Sequence, residues 1–283
     1  AELFKKKKNP IAYDGFEPSG KIHIAQGLLR AINVNKLTST GIKFKMWVAD
    51  WFGMLNNKMG GDLEKIRVVG EYFIEVWKAC GMDLDNVEFI WTSEFIKENP
   101  DYWETVLRLS MNATVQRVLR CGQIMGREEN TANPSAQILY PLMQAADIHH
   151  LGADIAQLGM DQRKVTMLAR DIFPKLVFEK PVAVHHHMLM GLTEPKNAGE
   201  TGVDAAIAKK MSKSNPNSAI FMTDTEDEIN KKFKKAYCPE GVAEDNPVLE
   251  YFKYIIFERV DNIMIERPEK FGGNSEYSTY DSL

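Results

Sequence analysis

Short apolar segments of strand length alternate along this chain with longer stretches of helical periodicity. Residues 44–49, 87–91 and 181–184 are rich in aliphatic and aromatic side chains and read as buried strands. Helical patterns cover 23–40, 62–80, 101–120, 136–150 and 161–172. Within 62–80, Ile66, Val69, Tyr72, Phe73, Val76 and Trp77 form one apolar stripe. This alternation predicts a parallel sheet with crossover helices, the doubly wound α/β class, whose ligands bind beyond the carboxyl ends of the strands. Residues 192–209 hold Pro195, Gly199, Gly202 and four alanines and read as a mobile loop. After about residue 220 the pattern turns helical and charged, as in 226–236, which predicts a small helical C-terminal region. The tail, 267–283, has few apolar anchors and is not expected to be ordered.

Composition narrows the class without touching the chemistry. With 44% hydrophobic and 26% charged residues, the 283-residue chain suits one large domain or two modest ones rather than disorder. No apolar run approaches the ~18 residues of a membrane span, and the lysines at 5–8 precede no apolar segment, so neither an anchor nor a secretory signal is expected. Cys80, Cys121 and Cys238 are too scattered for a disulfide framework or a zinc site, which points to a reducing, cytoplasmic compartment and leaves the sequon at Asn112 unused. A net charge of −4 excludes a protein that is basic overall, although Lys5–Lys8 and the lysines at 231, 232, 234 and 235 make local clusters.

Four segments bear on chemistry. Residues 15–22, Gly-Phe-Glu-Pro-Ser-Gly-Lys-Ile, have P-loop spacing, but Ile22 stands where magnesium needs a hydroxyl and Glu17 would face the phosphates, so that reading fails. The segment is instead a loop into a helix beginning near His23, whose first turn suits an anion. Residues 210–214, Lys-Met-Ser-Lys-Ser, follow the mobile stretch, and two lysines with two hydroxyls can close over a polyphosphate. Tyr140, Gln144 and Asp147 share one helix face, opposite Ile138, Leu142 and Ala145; taken alone, such a stripe is best explained as a solvated face. His185, His186 and His187 are adjacent at a strand end, where side chains alternate, so no metal site is expected.

Together these residues resemble the class I aminoacyl-tRNA synthetases. Residues 12–26 (Ala-Tyr-Asp-Gly-Phe-Glu-Pro-Ser-Gly-Lys-Ile-His-Ile-Ala-Gln) look like the first signature region, ending in its HIGH motif, and 210–214 match the KMSKS signature without change. Residues 140–147 (Tyr-Pro-Leu-Met-Gln-Ala-Ala-Asp) and 159–164 (Gly-Met-Asp-Gln-Arg-Lys) are similar to the tyrosyl branch of archaeal and eukaryotic cytosolic type. The likeness runs from about 10 to about 275.

The resemblance implies a Rossmann-like catalytic domain over 1–220, with a dimer-forming insertion around 95–135, and a partial helical anticodon-binding domain over 221–283. It implies activation of L-tyrosine with ATP, magnesium arriving with the ATP, and transfer of the tyrosyl group to tRNA(Tyr). By the same resemblance, Tyr13 and Asp147 bind the phenolic hydroxyl, and Tyr140, Gln144 and Gln162 hold the ammonium end. Gly15, Gly20, His23, Met188, Leu189, Lys210, Ser212 and Lys213 fall at ATP, with His23, Lys210 and Lys213 serving catalysis. A homodimer through about 101–130 is implied as well.

The chain departs from the family pattern in four places. Its first signature reads His-Ile-Ala-Gln, without the second His; Trp51-Phe52 replaces the usual Leu-His; residues 193–209 make a longer stretch than usual, expected to be disordered without ATP; and only 69 residues follow Ser214, which implies a shortened C-terminal domain. Two other readings compete. A tryptophanyl enzyme explains Asp147 less well than a hydroxyl-bearing substrate does. A non-catalytic RNA-binding relative would have no need of His23 and the two signature lysines.

Overall fold

The computed structural model of the chain describes residues 2–122, 134–195, 201–213 and 215–283. A short helix α1 (Glu2–Lys6) leads into β1 (Ile11–Phe16), followed by α2 (Leu28–Thr38) and β2 (Lys43–Val48). Then come α3 (Asp50–Leu55), α4 (Leu63–Ala79), β3 (Val87–Trp91), α5 (Thr92–Glu98), α6 (Tyr102–Met111) and α7 (Val115–Arg120). The order continues with α8 (Ala136–His150), β4 (Ile155–Gly159), α9 (Arg163–Ile172) and β5 (Val182–His186). The C-terminal part holds α10 (Val203–Lys209), α11 (Glu226–Phe233), α12 (Pro247–Tyr251), β6 (Ile263–Ile265) and β7 (Ser275–Tyr277).

Packing divides the chain into one unit of residues 1–22 and 33–187 and a second of 23–32 and 188–283. Residues 188–220 therefore group with the C-terminal segment, although the sequence reading draws its boundary after 220.

The first unit is built on a five-stranded, all-parallel sheet of order β3-β2-β1-β4-β5. After β1 the chain adds strands to one side, and from β4 onward to the other. The switch point is thus between β1 and β4, where a doubly wound sheet opens a crevice at its carboxyl end. β4 is buried along its whole length. Helix α4 starts on Asp62, whose carboxylate caps the Lys65 N–H, and turns Ile66, Gly70, Phe73, Ile74 and Trp77 inward. Helix α8 is closed at its far end by Lys45, whose Nζ donates to the Leu151 carbonyl at 3.0 Å. Tyr13, Trp47, Phe52, Tyr102, Leu109, Ala145, Ile148 and Leu168 belong to the main core.

In the second unit, Leu29, Ile32, Leu189, Leu192, Met211, Ile220, Phe221 and Tyr251 form a separate core. A reciprocal capping box, Thr225 with Glu228, starts α11. β6 and β7 pair antiparallel.

Several local expectations are corrected. The helix expected from residue 23 is regular only from Leu28, because Leu29 N–H reaches back to Ile24 O and the His23 carbonyl takes both Gln26 and Gly27 N–H. His23 therefore precedes the helix instead of occupying its first turn. The pattern over 101–120 breaks at Asn112–Thr114, where Thr114 caps a new helix by accepting from Arg117 N–H. Part of the expected loop 192–209 is helix α10; residues 196–200 of it lie outside the described residues. The expected helical C-terminal region also holds a strand pair, and the tail is tied down through β7 and Arg267, whose N–H donates to Asn274. Residues 123–133 of the expected dimer segment, and Ser214, also lie outside the described residues. Among the described residues no helix is long and apolar enough to cross a membrane.

Candidate functional site

In the first unit, β1 and α8 bring Tyr13 and Asp147 together in the core, each 1% exposed. The Tyr13 hydroxyl is buried and has no hydrogen-bond partner of ordinary geometry. Burial raises its pKa, the charges of Asp147 and Asp14 raise it further, and the nearby Gln144 amide opposes the shift. Asp147 Oδ1 accepts a 2.6 Å hydrogen bond from the Tyr102 hydroxyl, for which the Met143 carbonyl at 3.0 Å is the alternative acceptor. Burial pushes the Asp147 carboxyl well above the usual range, with Tyr102 and the Trp47 indole holding it down.

One turn of α8 before Gln144, the Tyr140 hydroxyl donates to the Glu17 carboxylate. Glu17 also takes the Asn56 amide at 3.0 Å and lies 3.5 Å from Lys58 Nζ. The Tyr140 ring meets Phe52 edge-on, centroids 4.7 Å apart, so Phe52 forms an apolar wall. Between the two acidic ends, Gln144 Nε2 donates to Gln162 Oε1 at 3.1 Å, with Gln162 carried by the turn after β4. All five residues expected to bind tyrosine thus fall within one unit around the switch point. The stripe of Tyr140, Gln144 and Asp147, which taken alone reads as solvated, is buried.

The local backbone explains the glycines. A Cβ on Gly15 would lie 3.3 Å from Trp47, and Gly20 has φ +95, the left-handed region that only glycine enters without strain. Three contributors escaped the sequence reading. Glu17 counted only against a P-loop, although a carboxylate in the loop after a central strand is itself a signal. Tyr102 sits in an amphipathic helix and looks like any core aromatic. Asn56, which holds Glu17, carries no sequence signal.

The second unit assembles the other expected residues. His23 is 7% exposed and bridges to Phe221, and its Nδ1 lacks a hydrogen-bond partner. Burial, then the charges of Lys213 and Lys210, lower its pKa to about 3, so it is neutral at physiological pH. Lys210 bridges to Met190, and the Met211 N–H donates to the Leu189 carbonyl at 2.8 Å. Met190 is held at both backbone groups: its N–H donates to Glu250 at 2.9 Å and its carbonyl accepts from the Tyr251 hydroxyl at 2.7 Å. Ser212 accepts from Asn215 N–H through its carbonyl, and Lys209 pairs with Asp245 at 2.8 Å. The result is a neutral imidazole near two lysines, the lysines on a segment that an isolated bridge and one backbone hydrogen bond tie to residues 189 and 190. Such a set suits a polyphosphate. Among the described residues no three His, Cys, Asp or Glu side chains group as metal ligands.

Comparison with known proteins places this geometry in context. A sequence model of the tRNA synthetases class I (W and Y) matches residues 5–283. Tyrosine--tRNA ligase 1, cytoplasmic, of Arabidopsis thaliana is 54% identical over 283 residues, covering 99% of this chain and 70% of that protein. The crystal structure of tyrosyl-tRNA synthetase from Pyrococcus horikoshii complexed with L-tyrosine superposes with a TM-score of 0.89 at 40% identity, covering 99% of this chain and 80% of that one. Leishmania major tyrosyl-tRNA synthetase in complex with tyrosinol gives a TM-score of 0.86 at 46% identity, and there the match covers 99% of this chain but only 42% of the other.

Proposed function

Because the chain belongs to the class I tRNA synthetases of the tryptophan and tyrosine group, we propose that it is a tyrosine–tRNA ligase that activates L-tyrosine with ATP and charges tRNA(Tyr). The observation that carries the tyrosine assignment is the buried, unpartnered Tyr13 hydroxyl beside the buried Asp147 carboxylate. A phenol completes both: it accepts from Tyr13 and donates to Asp147. Phenylalanine would leave the Tyr13 hydroxyl desolvated and unpaired and Asp147 with its Tyr102 hydrogen bond alone, which is costly. At the other end, the Glu17 carboxylate, Tyr140 and the Gln144–Gln162 amide pair offer acceptors to an ammonium group.

The chemistry needs no protein nucleophile. The tyrosine carboxylate attacks the α-phosphorus of ATP, a carboxylate–phosphorus bond forms, and pyrophosphate leaves with the electron pair of the broken P–O bond. A ribose hydroxyl at the tRNA terminus then attacks the tyrosyl carbonyl and expels AMP. Magnesium enters as part of the ATP substrate. Lys210 and Lys213 offset charge on the phosphates, and His23, neutral beside them, serves as a hydrogen-bond donor rather than a third cation. The Met188–Leu189 backbone, with Gly15, Gly20 and Ser212, is assigned to ATP on the family resemblance. A cytoplasmic location rests on the name of the Arabidopsis relative.

The test is ATP–pyrophosphate exchange with tyrosine, tryptophan and phenylalanine in parallel. Exchange with tyrosine alone is expected, and Asp147→Ala should weaken tyrosine binding at least tenfold more than ATP binding. Exchange with tryptophan instead would overturn the specificity, and silence with all three would overturn the activity.

A further inference from the structure

Asp147 is a fully buried carboxylate, and among the described residues no basic side chain pairs with it. Burying such a charge without a cation is costly, so its ionisation depends on the donors around it. β1 contributes Tyr13, with Asp14 beside it; β2 contributes the Trp47 indole; α6 contributes Tyr102; α8 itself contributes Tyr140 and Gln144, with Glu17 on Tyr140. Of these, only Tyr102 makes a hydrogen bond to Asp147 of full geometry, at 2.6 Å, and Tyr102 is itself 0% exposed. Behind Tyr102 lies His150, its ring centroid 5.2 Å away and its Nε2 2.8 Å from the Thr105 hydroxyl. Burial lowers the His150 pKa, with the charge of Asp101 opposing the shift.

We propose that Tyr102 is a specificity-determining positioning residue, whose hydroxyl keeps Asp147 an acceptor-only carboxylate aimed at the phenol of the substrate. The inference rests on the reading that Asp147 meets that phenol. Tyr102 reaches substrate only through Asp147. An ionised Asp147 rewards a hydroxyl and penalises its absence. A protonated Asp147 pairs with the Tyr13 oxygen by donating to it, and the penalty on phenylalanine shrinks. Removing the Tyr102 donor favours protonation, because that hydrogen bond stabilises only the charged form.

The test is Tyr102→Phe, which deletes one oxygen, assayed by exchange with tyrosine and phenylalanine between pH 5.5 and 8.5. Tyrosine-over-phenylalanine discrimination in kcat/KM is expected to fall about tenfold or more, the usual scale for a hydrogen bond to a charged group. The acid limb of the tyrosine profile should move to higher pH, while KM for ATP stays unchanged. In an Asp147→Asn background, tyrosine affinity should be insensitive to Tyr102→Phe. An unmoved acid limb, or an equal loss in both backgrounds, overturns the proposal. Should Tyr102→Phe fail to fold, Tyr102→Met deletes the same hydroxyl with a more adaptable side chain; an acid limb that then moves upward supports the proposal, and one that stays overturns it. A wild-type chain silent with tyrosine would instead overturn the reading beneath it.

Discussion

His23 shows how much a single residue owes to its surroundings. Buried beside Lys210 and Lys213, its imidazole protonates only near pH 3, whereas in the unfolded chain it takes a proton near its ordinary value of 6.5. Its folded pKa is lowered, so the unfolded state binds the extra proton as the solution is acidified. Stability is full above about 6.5 and falls by about 1.4 kcal/mol per pH unit on the way down to about 3. His23→Gln should flatten the dependence of Tm on pH between 6 and 4, and should slow pyrophosphate exchange while leaving tyrosine affinity nearly intact. A slope equal to that of the wild type would show that other groups carry the acid sensitivity. The residue types needed for this chemistry, one His and two Lys in two separated signatures, are legible in the sequence. The neutrality of the imidazole is not, since it comes from burial among residues about 190 positions away in the chain.

At the scale of elements, helix α4 is fitted to the sheet at one point. A Cβ on Gly70 would sit 2.4 Å from the Trp91 ring, and Trp91 is also covered by the Arg67 guanidinium, 5.0 Å from its centroid. Arg67 bonds Ser93 and Glu94, and Ser93 in turn holds Asp50 at the start of α3, the helix that carries Phe52 to Tyr140. Gly70→Ala should therefore cost about 1–3 kcal/mol through overpacking. Thermal melting should read this as a drop of several degrees, and an unchanged Tm would mean that Trp91 moves aside freely. The apolar stripe of α4 is plain from its 3.6-residue period. The requirement for glycine is not, because it depends on a tryptophan at the end of a strand. β1 and β4 escaped the pattern for a related reason: the first carries Asp14 and Gly15 and the second Gln157, so neither shows a continuous apolar run.

For the whole molecule, the described residues of α6 and α7 include several exposed large apolar side chains. Trp103, Leu107, Met111, Val115 and Leu119 recur every four residues, and Met111 is 84% exposed. We assign this stripe to a second copy of the chain, in keeping with the dimer segment expected from the sequence. Sedimentation velocity should find a dimer, and Leu107→Glu with Met111→Glu should convert it to a monomer; a monomeric wild type would overturn the assignment. The sequence by itself determined the α/β alternation, the two signatures and the placing of Tyr140, Gln144 and Asp147 on one helix face. The alternation and the helix face follow from periodicity within a few turns of chain, and the signatures from resemblance to the class I synthetases. Only the tertiary structure decided that this face is desolvated, that Tyr102 lies against Asp147, and that Glu17 closes the other end of the pocket. Those facts depend on which distant segments cover one another, and the free energy of a buried charge or an unpaired hydroxyl is set by that covering rather than by its neighbours in sequence.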